Sequence, residues 1–163
     1  MKKLFLLLFL SGCFSSPKSL DLDIRWLPLK RIVECPKIRA EGVYCTQGHT
    51  IYTHSLEEFL SLGIIHQEAL LAHEQIHAVH QSAMGVEIFK KKYAENAAFR
   101  KSEETAAWTA QIIYIELHGL KVDVIDTVLE IHTRYFDNDN NPLFSKQEAL
   151  ELVWDAKKIV GRK

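Results

Sequence analysis

The feature that most constrains this chain is the five-residue run His73-Glu74-Gln75-Ile76-His77. Apolar residues around it, with Gly85 beyond it, predict one helix from about 67 to 82. On a helix each residue advances about 100° and 1.5 Å, so both imidazoles lie on one face, one turn apart. They can then take two corners of a zinc tetrahedron, with Glu74 beside the metal-bound water as a base. The motif predicts a zinc-dependent hydrolase; a helix whose histidines only face solvent or satisfy core hydrogen bonds is the alternative.

The N-terminus predicts export and lipid attachment. A basic start, Met1-Lys2-Lys3, precedes an apolar run at 4–10 and small residues, which is typical of a secretory signal. The apolar run is too short to span a membrane as a helix. Leu10-Ser11-Gly12-Cys13 resembles the bacterial lipobox, which implies a signal peptide at 1–12 and a lipidated Cys13. A plain signal peptide, or a buried strand with an ordinary cysteine, is the alternative.

The same resemblance implies a location. Phe14, not aspartate, follows Cys13, and known sorting preferences then favour the outer over the inner membrane of a Gram-negative cell. We therefore expect a chain in the bacterial cell envelope, anchored by lipid to the periplasmic face of the outer membrane. The membrane is thus an expected partner, and the Ser-rich start of 13–24 suits a short tether.

The remaining residues, 25–163, suffice for a single domain with a hydrophobic core. A formal net charge of −1, with 25% charged residues, gives no electrostatic case for binding nucleic acid. The expected fold class is α+β, mostly helical, with a small N-terminal β-hairpin or sheet.

Strands are expected only ahead of Ser55. β-branched and aromatic residues punctuated by glycine predict a hairpin that turns at Gly48. From Ser55 the pattern becomes helical, beginning with a capping box formed with Glu58. Helices are predicted over about 55–62, 67–82, 86–99, 102–117, 122–135 and 145–160.

Cys35 and Cys45 remain once Cys13 is assigned to the lipid. Two cysteines close in sequence, in an exported chain, predict a short-loop disulfide. Two buried thiols are the alternative. Neither has zinc-ligand spacing with the histidines of the motif.

A catalytic zinc needs a third protein ligand, because its fourth position is left to water. His80 lies on the same face as His73 but about 10 Å further along the helix, while zinc–nitrogen bonds are about 2 Å long. One ion cannot bind His73, His77 and His80 together, so His80 is predicted at the rim of the site or behind a ligand. Glu103 and Glu104, on a later predicted helix, are the better candidates.

These two glutamates complete a recognisable pattern. H-E-x-x-H followed later by E-x-x-A resembles the gluzincins, in particular the small bacterial and phage-associated zincin-like proteins. The resemblance covers roughly 49–119, with Thr50-Ile51-Tyr52 as the strand ahead of the motif helix. It implies a zincin-like fold, a zinc cofactor, and a site formed by His73, His77 and one of the two glutamates.

Both glutamates fit E-x-x-A, with Ala106 and Ala107 respectively. Glu104 is preferred because Trp108 follows its alanine, as an aromatic does in the family. Glu103 stays open as the alternative ligand, because the helix face through it is the more apolar. If neither binds metal, both are the acidic first turn expected near the start of a helix.

The implied chemistry is hydrolysis of a peptide or protein substrate, with Glu74 as the general base that later protonates the leaving amine. One further donor for the anionic intermediate is sought among Tyr52, Tyr93, Tyr114 and His118. The expected function is a lipid-anchored zinc metallopeptidase. The alternatives are a non-catalytic zincin-fold lipoprotein acting as a binding or assembly module, which the intact Glu74 argues against, and a cell-wall peptide amidase.

A second candidate metal site lies near the C-terminus. The oxygen-bearing residues from Asp137 to Glu148 match several positions of a calcium-binding EF-hand loop, but Pro142 stands where that loop needs glycine. A polar turn followed by a Ser145–Glu148 capping box is the plainer interpretation, and calcium stays open.

Overall fold

The computed structural model describes residues 19–21, 29–35 and 44–161. The predicted signal peptide and Cys13 lie outside these residues. Within them the chain forms a small sheet followed by helices, which confirms the expected α+β, mostly helical class. The strands are β1 Ser19–Asp21, β2 Arg31–Glu34, β3 Tyr44–Gln47 and β4 Thr50–Thr53; the helices are α1 Leu56–Ser61, α2 Ile64–Met84, α3 Val86–Glu95, α4 Ala97–Leu117, α5 Val124–Arg134 and α6 Lys146–Gly161.

The four strands pair in the order β1-β2-β4-β3, and only β2 and β4 are parallel. Strand β1 was not expected, because Ser19–Asp21 falls within the predicted tether yet pairs with β2. Leu20 accounts for this, since its half-buried side chain packs against the core beneath the sheet. Residues 19–21 of the predicted tether therefore belong to the sheet.

The predicted hairpin at Gly48 is confirmed. Gln47 pairs with Thr50, so Gly48 and His49 form a two-residue turn between β3 and β4. Gly48 has a φ of +60°, which glycine adopts without steric penalty, and glycine at the first position is typical of a type II′ hairpin turn. The turn sets the register that brings β3 alongside the motif helix.

Cys35 and Cys45 are not bonded to each other. Cys35 follows β2 and Cys45 lies in β3, and β4 runs between them. Adjacent strands are about 4.8 Å apart, so two strand spacings separate the cysteines by about 10 Å, whereas disulfide Cα atoms are less than about 7 Å apart. The predicted disulfide is wrong.

Burial, and then the nearby Glu74 carboxylate, raises the pKa of the Cys45 thiol to about 11, so it is a poor nucleophile at neutral pH.

The helical part differs from expectation at the start of α2, at the end of α3 and at the start of α4, which is Ala97 and not residue 102. Helix α2 begins at Ile64, a few residues before the predicted start, and ends as expected before Gly85, whose φ is +91°. Helix α3 ends at Glu95 instead of continuing to 99, because the Asn96 side chain accepts a hydrogen bond from Phe99 N (2.9 Å) and caps α4. Among the described residues, no helix has both the length and the apolar character needed to cross a bilayer.

Two hydrophobic cores flank the long helices α2 and α4. One lies beneath the sheet and takes Leu71 and Ala78 from α2; the other takes Trp108 and Ile112 from α4. Helices α2 and α4 also pack against each other. Their contact surface holds a group of buried charged residues, which must be paired or bind an ion. The group contains His73, His77, Glu103 and Glu104, and Glu74 on α2 is also buried but faces β3.

Helix α6 begins with the predicted capping box. Ser145 Oγ accepts from Glu148 N (3.2 Å), and Glu148 Oε2 accepts from Ser145 N (2.9 Å). The Asp137 carboxylate also takes part in local hydrogen bonds, because it accepts from the backbone N–H groups of Asp139 and Asn141. The carboxylates proposed for calcium are thus engaged in local turns, which favours the plainer interpretation.

The Glu148 carboxylate also ties α6 to α4 through Lys101 Nζ (2.6 Å). Lys101, and then Ser145, lower the pKa of Glu148 to about 2, so its contribution to stability is present above its ordinary pKa of 4.5 and is lost as the pH falls from about 4.5 to about 2. We expect Glu148→Gln, which keeps the cap, to lower the free energy of unfolding at pH 7 by no more than about 1 kcal/mol, the usual ceiling for an exposed ion pair. Denaturant unfolding of both proteins at pH 7 and pH 3 should show the difference shrinking at pH 3; an unchanged difference would contradict the ion pair.

Candidate metal centre

The histidines and the glutamate of the motif lie on the buried face of α2. His73, Glu74 and His77 are only 7%, 5% and 8% exposed, although they lie within a helix that also has exposed faces. Buried imidazoles and carboxylates are rare unless they are paired or bind a metal. The expectation of a helix whose histidines merely face solvent does not hold here.

Helix α4 supplies the acid that faces both histidines. Glu104, 2% exposed, has Oε2 at 3.5 Å from His73 Nε2 and Oε1 at 3.4 Å from His77 Nε2. One candidate ligand atom from each residue lies within 4.8 Å of the others. These three residues could hold one metal ion and are called the ligand trio below. The choice of Glu104 over Glu103 agrees with this geometry.

The spacing of the ligand trio is compatible with one metal ion. With bonds of about 2.0–2.1 Å, a tetrahedral zinc keeps its ligand atoms about 3.3 Å apart. Each histidine nitrogen lies close to that distance from one oxygen of Glu104, Oε2 for His73 and Oε1 for His77. Glu104 Oε2 is buried and has no hydrogen-bond donor among the described residues. A buried carboxylate oxygen in that position is unfavourable unless a cation balances it. Two imidazoles and a carboxylate are also a donor set that zinc prefers.

The electrostatics of the site favour a cation. Burial alone would raise the pKa of Glu104, but the charge of His77 and the nearby imidazole of His73 outweigh it and hold the pKa below its ordinary value. Burial would lower the pKa of His77, but the Glu104 and Glu103 carboxylates raise it instead. Glu74 adds a third buried carboxylate. A positive charge at this point is therefore stabilised, whether a proton on His77 or a metal ion carries it.

Tyr93 on α3 reaches the same centre. Its hydroxyl donates a hydrogen bond to Glu104 Oε1, and its ring lies edge-on to His77 at 6.2 Å between centroids. Of the other candidate donors, Tyr114 donates to Glu68 (2.8 Å) and stacks against His118. Among the contacts of the described residues, only Tyr93 joins one of the four to the ligand trio.

Glu74 is held by the neighbouring strand. Thr46 in β3 donates from Oγ1 to Glu74 Oε2 (2.6 Å), which fixes one carboxylate oxygen. Gln81, two turns further along α2, then clamps that strand: its side chain donates to Thr46 O (2.9 Å) and accepts from Gly48 N (2.7 Å). Sequence reasoning missed Thr46 and Gln81. Only the seven-residue spacing between Glu74 and Gln81 points to a shared helix face.

Glu103 and His80 lie beside the ligand trio. Glu103 Oε2 is 2.7 Å from His80 Nδ1 and 3.8 Å from His77 Nδ1, on the side of His77 opposite to Glu104. His80 is 41% exposed. This agrees with the expectation that His80 lies at the rim and is not a third histidine ligand.

Aromatic side chains enclose the imidazoles. Trp108 lies edge-on to His73 at 5.4 Å, and Phe89 lies edge-on to His77 at 6.2 Å. Both are buried, so they exclude water from the flanks of the site. A low local dielectric strengthens the interactions between the charged groups within.

No family model, curated protein or solved structure matches the chain. The gluzincin resemblance therefore stays a prediction from the two sequence patterns. The arguments about function below rest on the geometry of the described residues.

Proposed function

We propose that this chain is a zinc metallopeptidase that hydrolyses peptide bonds, with His73, His77 and Glu104 as zinc ligands and Glu74 as the general base. The observation that carries the proposal is the ligand trio, buried and spaced for one ion, with a fourth acid adjacent in sequence. A binding or assembly module would have no need for a base at position 74.

The chemistry divides between the ion and the chain. Zinc, when bound, lowers the pKa of water and polarises a carbonyl group. The Glu74 carboxylate accepts a proton from the attacking water and passes it to the leaving amine. Thr46 holds one oxygen of Glu74, which leaves the other for this proton transfer. The Tyr93 hydroxyl, next to Glu104, is the nearest candidate donor for the developing oxyanion, and to act there it would have to release its hydrogen bond to Glu104 Oε1.

Zinc is preferred over calcium and magnesium because of the donors. Calcium and magnesium select oxygen ligands, whereas two imidazole nitrogens and one carboxylate suit zinc. We further propose, from the sequence around Cys13, that the enzyme is lipid-anchored in the cell envelope and acts there on peptide or protein. Cell-wall peptide is one substrate of that class, so an amidase remains the second candidate.

The test uses the full chain, expressed with its N-terminus and purified in detergent. We expect about one zinc per chain by elemental analysis, and cleavage of some members of a quenched fluorescent peptide library. A chelator should stop cleavage and added zinc should restore it. A correctly folded chain that takes up no zinc would refute the proposal, whereas bound zinc without cleavage of any peptide or cell-wall fragment would favour the binding module.

A further inference from the structure

We propose that Glu103 is a positioning residue that orients His77 for metal binding, and that His80 in turn holds Glu103. Glu103 then lies outside the coordination sphere although it directly precedes the ligand Glu104. This inference rests on the proposed function, because it takes His77 to be a ligand.

The contacts around His77 divide its two ring nitrogens. Nε2 faces Glu104 Oε1 at 3.4 Å, on the metal side. Nδ1 faces Glu103 Oε2 at 3.8 Å and is buried, with no hydrogen-bond partner in the described part of the chain. The same Glu103 oxygen is 2.7 Å from His80 Nδ1. One carboxylate oxygen therefore lies between the back of a candidate ligand and a half-exposed histidine.

A carboxylate behind a histidine ligand commonly orients the imidazole ring for metal binding. A histidine ligand usually donates its second ring N–H to a carboxylate, which fixes the tautomer and the direction of the ring. A shift of about 1 Å would bring Glu103 and His77 Nδ1 to ordinary hydrogen-bond distance. His77 would then carry its proton on Nδ1 and direct the free electron pair of Nε2 at the ion.

Helix geometry explains why two glutamates stand side by side. Successive helix residues point about 100° apart, so Glu104 can face the ion while Glu103 passes behind His77. His80 lies three residues after His77 on α2, close to one turn further, and so reaches the same Glu103 carboxylate.

The other histidine lacks such a partner among the described residues. His73 Nδ1 is also buried there without a hydrogen-bond acceptor, and its ring lies edge-on against Trp108. On its Nδ1 side, packing rather than a carboxylate therefore holds His73. Changes at Glu103 should act on the site through His77 alone.

The experiment measures metal binding directly. Using the full chain in detergent, zinc affinity is determined by competition with a chelator, and the visible spectrum of the Co²⁺-loaded chain reports the ligand geometry. We expect Glu103→Gln to bind zinc about 10–100-fold more weakly, the usual loss for such a partner, with an altered Co²⁺ spectrum and an unchanged circular dichroism spectrum. His80→Ala should weaken binding less, and His80→Gln, which keeps a donor for Glu103, should restore part of the loss. Glu57→Gln, at an exposed position on α1, is the matched control.

Each outcome separates this inference from the proposed function. If Glu104→Gln loses zinc while Glu103→Gln keeps wild-type affinity and spectrum, the positioning role is refuted and the proposed function stands. If Glu103→Gln alone loses the metal, Glu103 is itself the ligand and the positioning role is again refuted. A wild-type chain that binds neither Zn²⁺ nor Co²⁺ overturns both.

Discussion

Replacing Glu104 with glutamine should remove zinc from the chain. The variant deletes the negative charge and one of the three proposed protein ligands, so we expect a larger loss of affinity than the roughly 10–100-fold that follows the loss of an outer partner. His73 and His77 alone, one turn apart on α2, leave the ion with too few ligands for a stable protein site. Elemental analysis of the purified chain, followed by chelator competition, measures the effect.

The fold of the Glu104 variant needs its own control. Glu104 is buried against His77, and removing one partner of a buried charge pair can destabilise a protein by about 3–5 kcal/mol. Glu104→Asp keeps the charge but shortens the side chain by one methylene, so a folded aspartate variant with weakened zinc binding would isolate coordination from folding. Circular dichroism and thermal unfolding of both variants, each metal-depleted, make the distinction. Wild-type zinc content in a folded Glu104→Gln chain would contradict the assignment.

Local patterns predicted the parts of the fold that depend on neighbouring residues. Ser55 and Ser145 each cap a helix through a residue three positions later, so the sequence contains both halves of each interaction. The turn at Gly48 is equally local. The helix boundary at Asn96 was missed although asparagine is a good cap, because the apolar periodicity continues across it.

Long-range pairing could not be predicted in the same way. Nothing near Cys35 or Cys45 indicates that β4 runs between their strands, and that fact alone excludes the disulfide. Strand β1 was not predicted for a similar reason, since three residues at 19–21 become a strand only because β2 is available to pair with them. Non-local pairing is decided by the whole sheet, not by the residues in the pair.

In the candidate site, too, the local spacing was predictable from the sequence and the long-range packing was not. The spacing of His73, Glu74 and His77 on one helix fixes their relation, so the motif alone predicts it. Whether Glu103 or Glu104 meets them depends on how α4 is rotated against α2. That rotation comes from packing between the two cores. Because adjacent helix residues point about 100° apart, only the rotation of α4 decides which of the two glutamates faces the histidines.

Glu74→Gln is expected to keep zinc and lose hydrolysis. Glu74 is not one of the three candidate ligands and is held through Thr46, so its charge is not needed to hold the ligand trio together. Glutamine has nearly the same shape and can still accept the Thr46 hydrogen bond, but its amide cannot take a proton from water. We expect kcat/KM to fall by about 10²–10⁴-fold, the usual contribution of a general base, on whichever library peptide the wild-type chain cleaves best.

Thr46→Val is the control that separates the loss of the Glu74 carboxylate from the loss of its orientation. It leaves the carboxylate in place but removes the 2.6 Å hydrogen bond that orients it. If Glu74 acts by proton transfer, Thr46→Val should reduce kcat by less than Glu74→Gln does and should leave zinc content unchanged. Equal zinc content in all three proteins, with activity falling in that order, identifies proton transfer as the role of Glu74. A Glu74→Gln chain that retains wild-type activity would instead show that the base lies elsewhere, and a loss of zinc in that variant would make Glu74 part of the metal site.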